Sequence, residues 1–531
     1  MTGLPGRAPS SFTRAARTAA EWLAEGNVGV FPAALVAVAL FAPFQAIVVS
    51  GLTWWAGTGV GIDDAEQLTY MPYLWWGYGG SQPPLYTWLS WLVSQVFGTS
   101  VLTLKIVKYA LLALAAWSIM TAMRRFGYAR TTAVAAMFGL FTMPQIIWES
   151  QRALTHSVAV VGFCGLMMLA FINLLERRST LSYVLFGLAV AAAILAKYND
   201  LILVLAIVGA ALSLPGYRGV ILDRKMLLAV AVALLALAPT LAWTWANQDA
   251  LLARTDSFEI EPGKGSLLAT AMALSEFVEA IFNLTVLPVI VCIVAFFLAG
   301  LVVRDLRAPV PQREELFWRM LAVGLAIVGV AVLMAGAGEV KARWLLPVMI
   351  PLPLALAALM ERLYPKGRDA QLTVIAAGAA IALLSAPGIW YFQARGGSGL
   401  ASIIRLDYPS LYATLTADGP VATVVSDKPW IGNLRRVDEK LVTLHQEFPD
   451  FAGVLEGPAV LVWMGNGKSL GSDSKVPAKV LRSIEHAGFE LAGDVRRLDV
   501  PELSGGAGAT REIAVVRLRQ SATVPAARTL P

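Results

Sequence analysis

Residues Gly61–Leu92 read GIDDAEQLTYMPYLWWGYGGSQPPLYTWLSWL. The stretch follows an apolar run at 30–50 and precedes another at 101–121, both able to cross a membrane. Asp63 and Asp64 stand side by side, with Glu66 close behind. Tyr70, Tyr73, Trp75, Trp76 and Tyr78 follow, then a glycine turn and Pro83-Pro84. Carboxylates beside a bilayer are costly unless water, a partner or chemistry holds them there. Whether this stretch is a loop between membrane helices therefore decides the fold.

Of the 531 residues, 57% are hydrophobic and only 15% charged, against about 25% charged in soluble proteins. With a mean hydropathy of +0.65, this is the composition of a polytopic membrane protein. The net charge of +6 does not call for a nucleic-acid partner, because excess Lys and Arg in membrane proteins collect in cytoplasmic loops. Cys164 and Cys292 lie in separate apolar runs and read as buried free thiols rather than a disulfide. The polar first thirty residues, and a first apolar run without a small-residue cleavage site, argue against a cleavable signal peptide.

Apolar runs recur near 30–50, 101–121, 131–148, 155–175, 181–196, 200–214, 227–246, 276–302, 320–337, 344–360 and 371–390. Several approach the roughly 20 residues that span a bilayer. The expectation is about eleven crossings, with 181–196 and 200–214 also readable as one broken pair. An odd number puts the termini on opposite sides. If the N-terminus is cytoplasmic, Arg7, Arg14, Arg17, Arg124, Arg125, Arg130, Arg177, Arg178, Arg218, Arg224, Lys225, Arg304, Arg307, Arg313, Arg319, Arg362, Lys366 and Arg368 fall inside. The outer loops hold few cations, including Lys105 and Lys108 at a helix start. Dropping one mid-chain helix would invert every later loop and spoil this bias.

In that topology the opening stretch faces outward. So do Glu149–Ser157, Lys197–Asp200, Asn247–Ser266 and Glu339–Trp344. The chemically interesting groups thus gather on one side. The domain expectation is a cytoplasmic tail over 1–28, with a helix at Ser11–Ala24, then a transmembrane catalytic domain over 29–392 whose first outer loop is 51–100. A small α/β domain follows at 393–519, with a flexible tail at 520–531. Its β-like runs are Val421–Val425, Val460–Met464 and Ile513–Leu518, with a helix at Pro477–Ala487.

The acids admit two readings. Asp63 or Asp64 can cap an interfacial helix starting at Ala65. Alternatively, one carboxylate is a general base that takes a proton from an acceptor hydroxyl as its oxygen attacks a sugar carbon. A close pair of acids also leaves room for a divalent cation. The aromatic segment Gln67–Trp76 reads as an amphipathic interfacial wall. Pro83-Pro84 imposes an extended entry to a helix at Leu85–Val96. Arg152, Lys197, Lys341 and Arg343 run against the charge bias and suit a departing phosphate, although cations also snorkel at helix ends. His156 has no second ligand in spacing and reads as a hydrogen-bonding residue. The 247–266 loop is long enough to be a lid.

Asp63-Asp64-Ala65-Glu66, Gly77-Tyr78, Pro83-Pro84-Leu85 and Trp88-Leu89 together resemble a motif of bacterial GT-C glycosyltransferases. These are the protein mannosyltransferase-like and aminoarabinose transferase-like enzymes, including the rhizobial galacturonosyltransferases. Arg152–Thr155, Leu195–Tyr198 and Arg343–Pro347 agree with further segments of that family. The resemblance covers about residues 30–360 and implies a mainly α, polytopic GT-C membrane fold. It implies a polyprenyl-phosphate sugar donor and inversion at the anomeric carbon. Asp63 takes the place of the catalytic acid, with Asp64 beside it. Lys197 and Arg343 fall where donor phosphate contacts are expected, and Arg152, Glu66, Tyr78, Gln82, Tyr198 and Lys341 complete the expected substrate-binding set. The chain departs from the pattern at Gln82, where relatives often carry Lys or His, and at Ser157, where they often carry Asp.

The expected function is transfer of a polyprenyl-phosphate-linked sugar to an envelope glycan, lipid or protein at the periplasmic face of a bacterial inner membrane. Membrane lipids surround the protein, and no nucleic acid is involved. A transporter of lipid-linked saccharide and a non-catalytic envelope assembly protein are the alternatives. A transporter would carry its charges near mid-membrane and often show repeat symmetry, whereas here they sit at helix ends.

Overall fold

The computed structural model describes residues 11–79, 82–150, 155–248, 267–301, 307–335, 341–395, 403–465, 470, 475–503 and 509–521. The helices are α1 (Ser11–Glu25), α2 (Ala33–Trp55), α3 (Ile62–Tyr70), α4 (Leu85–Phe97), α5 (Val101–Arg125), α6 (Arg130–Leu140), α7 (Thr155–Arg177) and α8 (Thr180–Ala196). They continue as α9 (Leu201–Ser213), α10 (Pro215–Ile221), α11 (Met226–Ala246), α12 (Leu267–Leu298), α13 (Gln312–Ala335), α14 (Ala342–Met349), α15 (Pro351–Arg362) and α16 (Lys366–Arg395).

Each of the eleven apolar runs is mainly helical over its described residues. Among the described residues, seven helices are long and apolar enough to span a bilayer, and α14–α15, bent by 44°, make an eighth if taken as one span. The other three runs form shorter or interrupted helices. These are α6 with the π-helical turn Gln145–Glu149 behind it, and α8 and α9, separated by a tight turn at Tyr198–Asp200. The helix α16 runs three residues past the boundary expected at 392. Both cysteines are buried and unbridged.

The bundle has two chemically different ends. At one, Arg17 pairs with Asp369 (2.8 Å), Arg368 with Glu25 (2.9 Å), Arg362 with Glu314 (2.8 Å) and Arg313 with Glu361 (3.1 Å). These arginines all belong to the set that the charge bias assigns to one face. At the other end lie α3, the start of α5, the start of α7 and the end of α8. The α5–α7 contact is close because Gly162 lacks a side chain, and a Cβ there would stand 3.0 Å from the Leu111 carbonyl oxygen. Small residues permit such approach where lipid supplies no hydrophobic drive between helices.

Beyond α16 come α17 (Tyr408–Thr416), β1 (Thr423–Ser426), β2 (Val442–His445), α18 (Phe451–Val454), β3 (Ala459–Trp463), α19 (Ala478–His486), β4 (Phe489–Pro501) and β5 (Thr510–Gln520). The sheet order is β2-β1-β3-β5-β4, with β1 parallel to β2 and β3, and β5 antiparallel to both β3 and β4. The strands β1 and β3 are buried at every position, as strands covered on both faces must be. The edge strand β4 carries a register shift between Ala492 and Arg496, a local twist that discourages pairing with another chain.

This small α/β domain clamps the opening stretch. Asn433 accepts the Val60 N–H through Oδ1 (2.7 Å) and donates to the Val60 carbonyl through Nδ2 (3.1 Å). The Glu439 carboxylate accepts from the Thr99 N–H at 2.7 Å, and the Thr69 and Thr443 hydroxyls meet at 3.0 Å. Gly432 lies so close to α3 that a Cβ would overlap the Ala65 carbonyl oxygen. Asn433→Ala strands both buried polar groups of Val60, at about 1–3 kcal/mol for each. We expect a lower Tm for the purified protein, with Asn433→Asp, which keeps the acceptor, losing less.

Candidate active site at the clamped end of the bundle

The helix α3 begins at Ile62, three residues earlier than expected. Its N-cap is Gly61, with no side-chain capping bond. Neither Asp63 nor Asp64 is a cap, and both lie in the first turn, where a helix N-terminus favours negative charge. Consecutive residues on a helix point about 100° apart, so the two acids serve different neighbours. Asp64 lies on the side of Leu68 and Met71, which pack with Leu104 of α5. Asp63 lies on the side of Gln67.

Asp64 is buried. Its Oδ2 accepts from Lys105 Nζ at 2.8 Å and its Oδ1 from Lys108 Nζ at 3.3 Å. The lysines stand three apart on one face of α5 and are themselves buried, Lys108 completely. Burial alone would raise the Asp64 carboxyl, but the two ammonium groups outweigh it and hold the carboxyl below its ordinary range. Asp64 is therefore committed to an ion triad. Its cationic surroundings do not fit a divalent ion. Among the described residues, no group of three or more His, Cys, Asp or Glu is placed to hold one.

Asp63 is only half-buried. Its charge acts on Lys197, Lys108 and Tyr86. Lys197 closes α8 and donates to Ser157 Oγ of α7 at 3.1 Å. It also feels repulsion from Arg343 on α14. Asn199 anchors that helix by donating to the Trp344 carbonyl at 2.9 Å. Four of the outward clusters read from the sequence thus converge. The Ser157 departure acquires a structural meaning, because a hydroxyl orients Lys197 without neutralising it.

Gln67, one turn beyond Asp63, accepts from Thr87 Oγ1 at 2.9 Å, and its Nε2 lies 3.2 Å from His156 Nε2. The His156 ring lies 5.5 Å from that of Tyr86, tilted by 48°, and Tyr86 is a fully buried ring whose hydroxyl finds no hydrogen-bond partner among the described residues. Gln82 likewise keeps a buried Oε1 without a partner there. Glu66 is buried on α3. Tyr198 stands 3.5 Å from Thr244 through its hydroxyl, and Lys341 is the N-cap of α14.

Tyr78 has another task. Its hydroxyl donates to the Tyr73 carbonyl (2.6 Å) and accepts from the Trp75 N–H (3.0 Å), so it braces its own loop. The interfacial helix expected over Gln67–Trp76 ends at Tyr70. The aromatics beyond it fold against the C-terminal domain, where Tyr70, Tyr73 and Trp75 surround Phe448 at 5.3–5.6 Å. Pro84, expected in an extended entry, instead has helical angles of −81° and −13° as the N-cap of α4. Arg152 and all but the first residues of the 247–266 loop lie outside the described residues.

Sequence reasoning missed Lys105 and Lys108 as partners of Asp64. The available signal was LKIVK, two lysines three apart near the start of an apolar helix on the side poor in cations.

The arrangement pairs one accessible carboxylate with fixed cations at the mouth of a membrane bundle, which suits proton abstraction beside a departing anion. A family model described as dolichyl-phosphate-mannose-protein mannosyltransferase matches residues 81–243. The lipopolysaccharide core galacturonosyltransferase RgtB of Rhizobium johnstonii is 32% identical over 409 residues, spanning 76% of this chain and 82% of that protein. The chain belongs to this family of membrane glycosyltransferases. A second member from the same organism, the lipopolysaccharide core galacturonosyltransferase RgtA, is 29% identical over 469 residues, 84% of this glycosyltransferase and 90% of RgtA. The fold is that of ArnT from Cupriavidus metallidurans, solved bound to undecaprenyl phosphate. That likeness has a TM-score of 0.55 at 14% identity and covers 91% of this glycosyltransferase and 98% of ArnT. Family membership sets aside the transporter and assembly-protein alternatives.

Proposed function

We propose that this glycosyltransferase moves a galacturonosyl residue from a polyprenyl-phosphate carrier onto a lipopolysaccharide core acceptor at the periplasmic face, with its N-terminus in the cytoplasm. The carrying observation is that the end of α8 and the start of α14 meet, with Asn199 donating to the Trp344 carbonyl at 2.9 Å, which brings Lys197 and Arg343 to one place beside Asp63. Two cations brought to one site suit an anion that both can hold, in addition to the Asp63 and Asp200 carboxylates that act on Lys197. A uronic acid on a phosphate carrier brings two anionic groups, and the galacturonosyltransferases RgtA and RgtB are named for that sugar.

In this reading Asp63 removes the proton of an acceptor hydroxyl. The hydroxyl oxygen forms a bond to the anomeric carbon as the bond from that carbon to the phosphate oxygen breaks. Attack opposite the leaving group inverts the centre. The proton ends on Asp63, and the electron pair leaves with the polyprenyl phosphate, whose growing charge Lys197 and Arg343 stabilise. Such preorganised charge matters most in a site that excludes water. Asp64, held by Lys105 and Lys108, anchors the helix that presents Asp63.

Lys197→Gln is expected to lower transfer from a radiolabelled polyprenyl-phosphate sugar about 10²-fold, in the range for removing one charge-stabilising donor. An unchanged rate would remove Lys197 from the leaving-group site. Mass spectrometry of envelope glycolipids from cells with and without the protein tests the sugar and acceptor together. The expected difference is one hexuronic acid residue on the lipopolysaccharide core. A neutral hexose or an aminopentose in its place would overturn the proposed donor.

A further inference from the structure

The far end of the bundle carries a second feature. A groove of about 470 Å³ opens between α5, α7 and α8. Its walls are apolar, including Trp117, Leu166 and Leu188, and its lining also includes Arg125, Asn173 and Arg177. Trp117, Leu185 and Leu188 are each more than 40% exposed, on helices that the sequence places in the bilayer.

The groove's position follows from helix geometry. Lys105, at the start of α5, touches Asp64, while Arg125 ends the same helix twenty residues later. At 1.5 Å per residue this places Arg125 about 30 Å from the candidate active site, one hydrocarbon thickness away. Arg177 ends α7 on that same side. Trp117 lies about 12 Å deeper than Arg125, and Leu188 about 12 Å deeper than the start of α8. The groove therefore runs through about one leaflet, with its cationic rim at the interface.

The rim is prepared for an anion. Arg125 donates to Asn173 Oδ1 at 2.9 Å, which fixes its guanidinium across the groove. Among the described residues, no carboxylate pairs with Arg125 or Arg177. Guanidinium groups bind phosphate oxygens with matched, paired hydrogen bonds. Basic pockets between membrane helices suit anionic lipid headgroups.

We propose that this groove binds an anionic glycerophospholipid of the leaflet opposite Asp63. One acyl chain lies between α5 and α8, and the phosphate is held by Arg125 and Arg177. The occupant is not the sugar carrier, because a carrier phosphate here would stand a full membrane thickness from Asp63 and Lys197.

The test is a titration of the purified full chain in detergent with dioleoyl phosphatidylglycerol, and separately with dioleoyl phosphatidylcholine, read by native mass spectrometry. Phosphatidylglycerol should be retained in preference to phosphatidylcholine. Arg125→Gln with Arg177→Gln should weaken retention about tenfold. Leu188→Trp, which fills the groove and leaves both arginines, should weaken it similarly, and Asp63→Asn should leave it unchanged. Equal retention of both lipids, or full retention in both groove variants, would overturn the proposal. So would displacement of phosphatidylglycerol by undecaprenyl phosphate, which would make the groove a carrier site.

Discussion

Asp63→Asn should abolish sugar transfer while leaving the glycosyltransferase folded in the membrane. Asparagine keeps the size and the hydrogen-bonding reach of the side chain but removes the base. The change falls on a half-buried position in the first turn of α3, so little packing is lost. General base catalysis contributes about 10²–10⁴-fold, and loss on that scale is expected in turnover of a labelled lipid-linked sugar. Retention of detergent-solubilised protein at the wild-type elution volume would show that the fold survives. Turnover within a few-fold of wild type would remove Asp63 as base.

The neighbouring acid should behave in the opposite way. Asp64→Leu removes the carboxylate shared by Lys105 and Lys108 and leaves two buried ammonium groups without that counter-ion. Breaking a buried ion pair from one side costs about 3–5 kcal/mol, a large share of the roughly 5–15 kcal/mol that holds a typical domain. The expected result is a steep fall in Tm and in folded yield. Replacing all three with apolar residues, Asp64→Leu with Lys105→Met and Lys108→Met, should restore much of the loss, because the ammonium charges leave with their partner. A stable Asp64→Leu single variant would contradict the triad. The pH dependence follows from the same contact. The carboxyl is held below its ordinary value of 3.8 in the folded protein, so its contribution is fully present above that value. It is lost only as the pH falls through the lower, folded value. Between pH 5 and 8 the Asp64 carboxyl should contribute no slope to stability.

The contrast between two adjacent acids shows what the sequence could and could not disclose. Eleven helical runs were legible because a bilayer sets a length and an apolar content that few other structures imitate. The convergence of residues 63, 157, 197 and 343 was legible in outline, because the charge bias put their clusters on one face. The division of labour between Asp63 and Asp64 was not. It depends on which neighbour each faces, and Lys105 and Lys108 lie over forty positions away on another helix. The clamp was hidden for the same reason, since Asn433 meets Val60 across 373 positions. Strand β4 escaped because Glu490, Asp494, Arg496, Arg497 and Asp499 make an exposed edge strand read as a loop. The short edge strand β2 also escaped, although Val442 and Thr443 give it as many β-branched residues as β3.

The clamp also gives the C-terminal domain a place in the chemistry. Gly432 and Asn433 grip α3 and the residues just before it, so the domain helps set where Asp63 stands. This matches a site whose proposed base sits on a nine-residue helix, too short to hold its shape alone in water. Tertiary contacts from two directions, the lysines of α5 and the turn around Gly432, supply what local propensity lacks.

The account stands most directly on one assay. Membranes containing the wild-type chain, and matched membranes containing Asp63→Asn, are supplied with polyprenyl-phosphate galacturonate labelled in the sugar and with lipopolysaccharide core acceptor. The account predicts that label leaves the carrier and appears covalently on the acceptor with inverted anomeric configuration in the first sample, and stays on the carrier in the second. Equal transfer in both samples, or label that crosses the membrane still attached to its carrier, would contradict it.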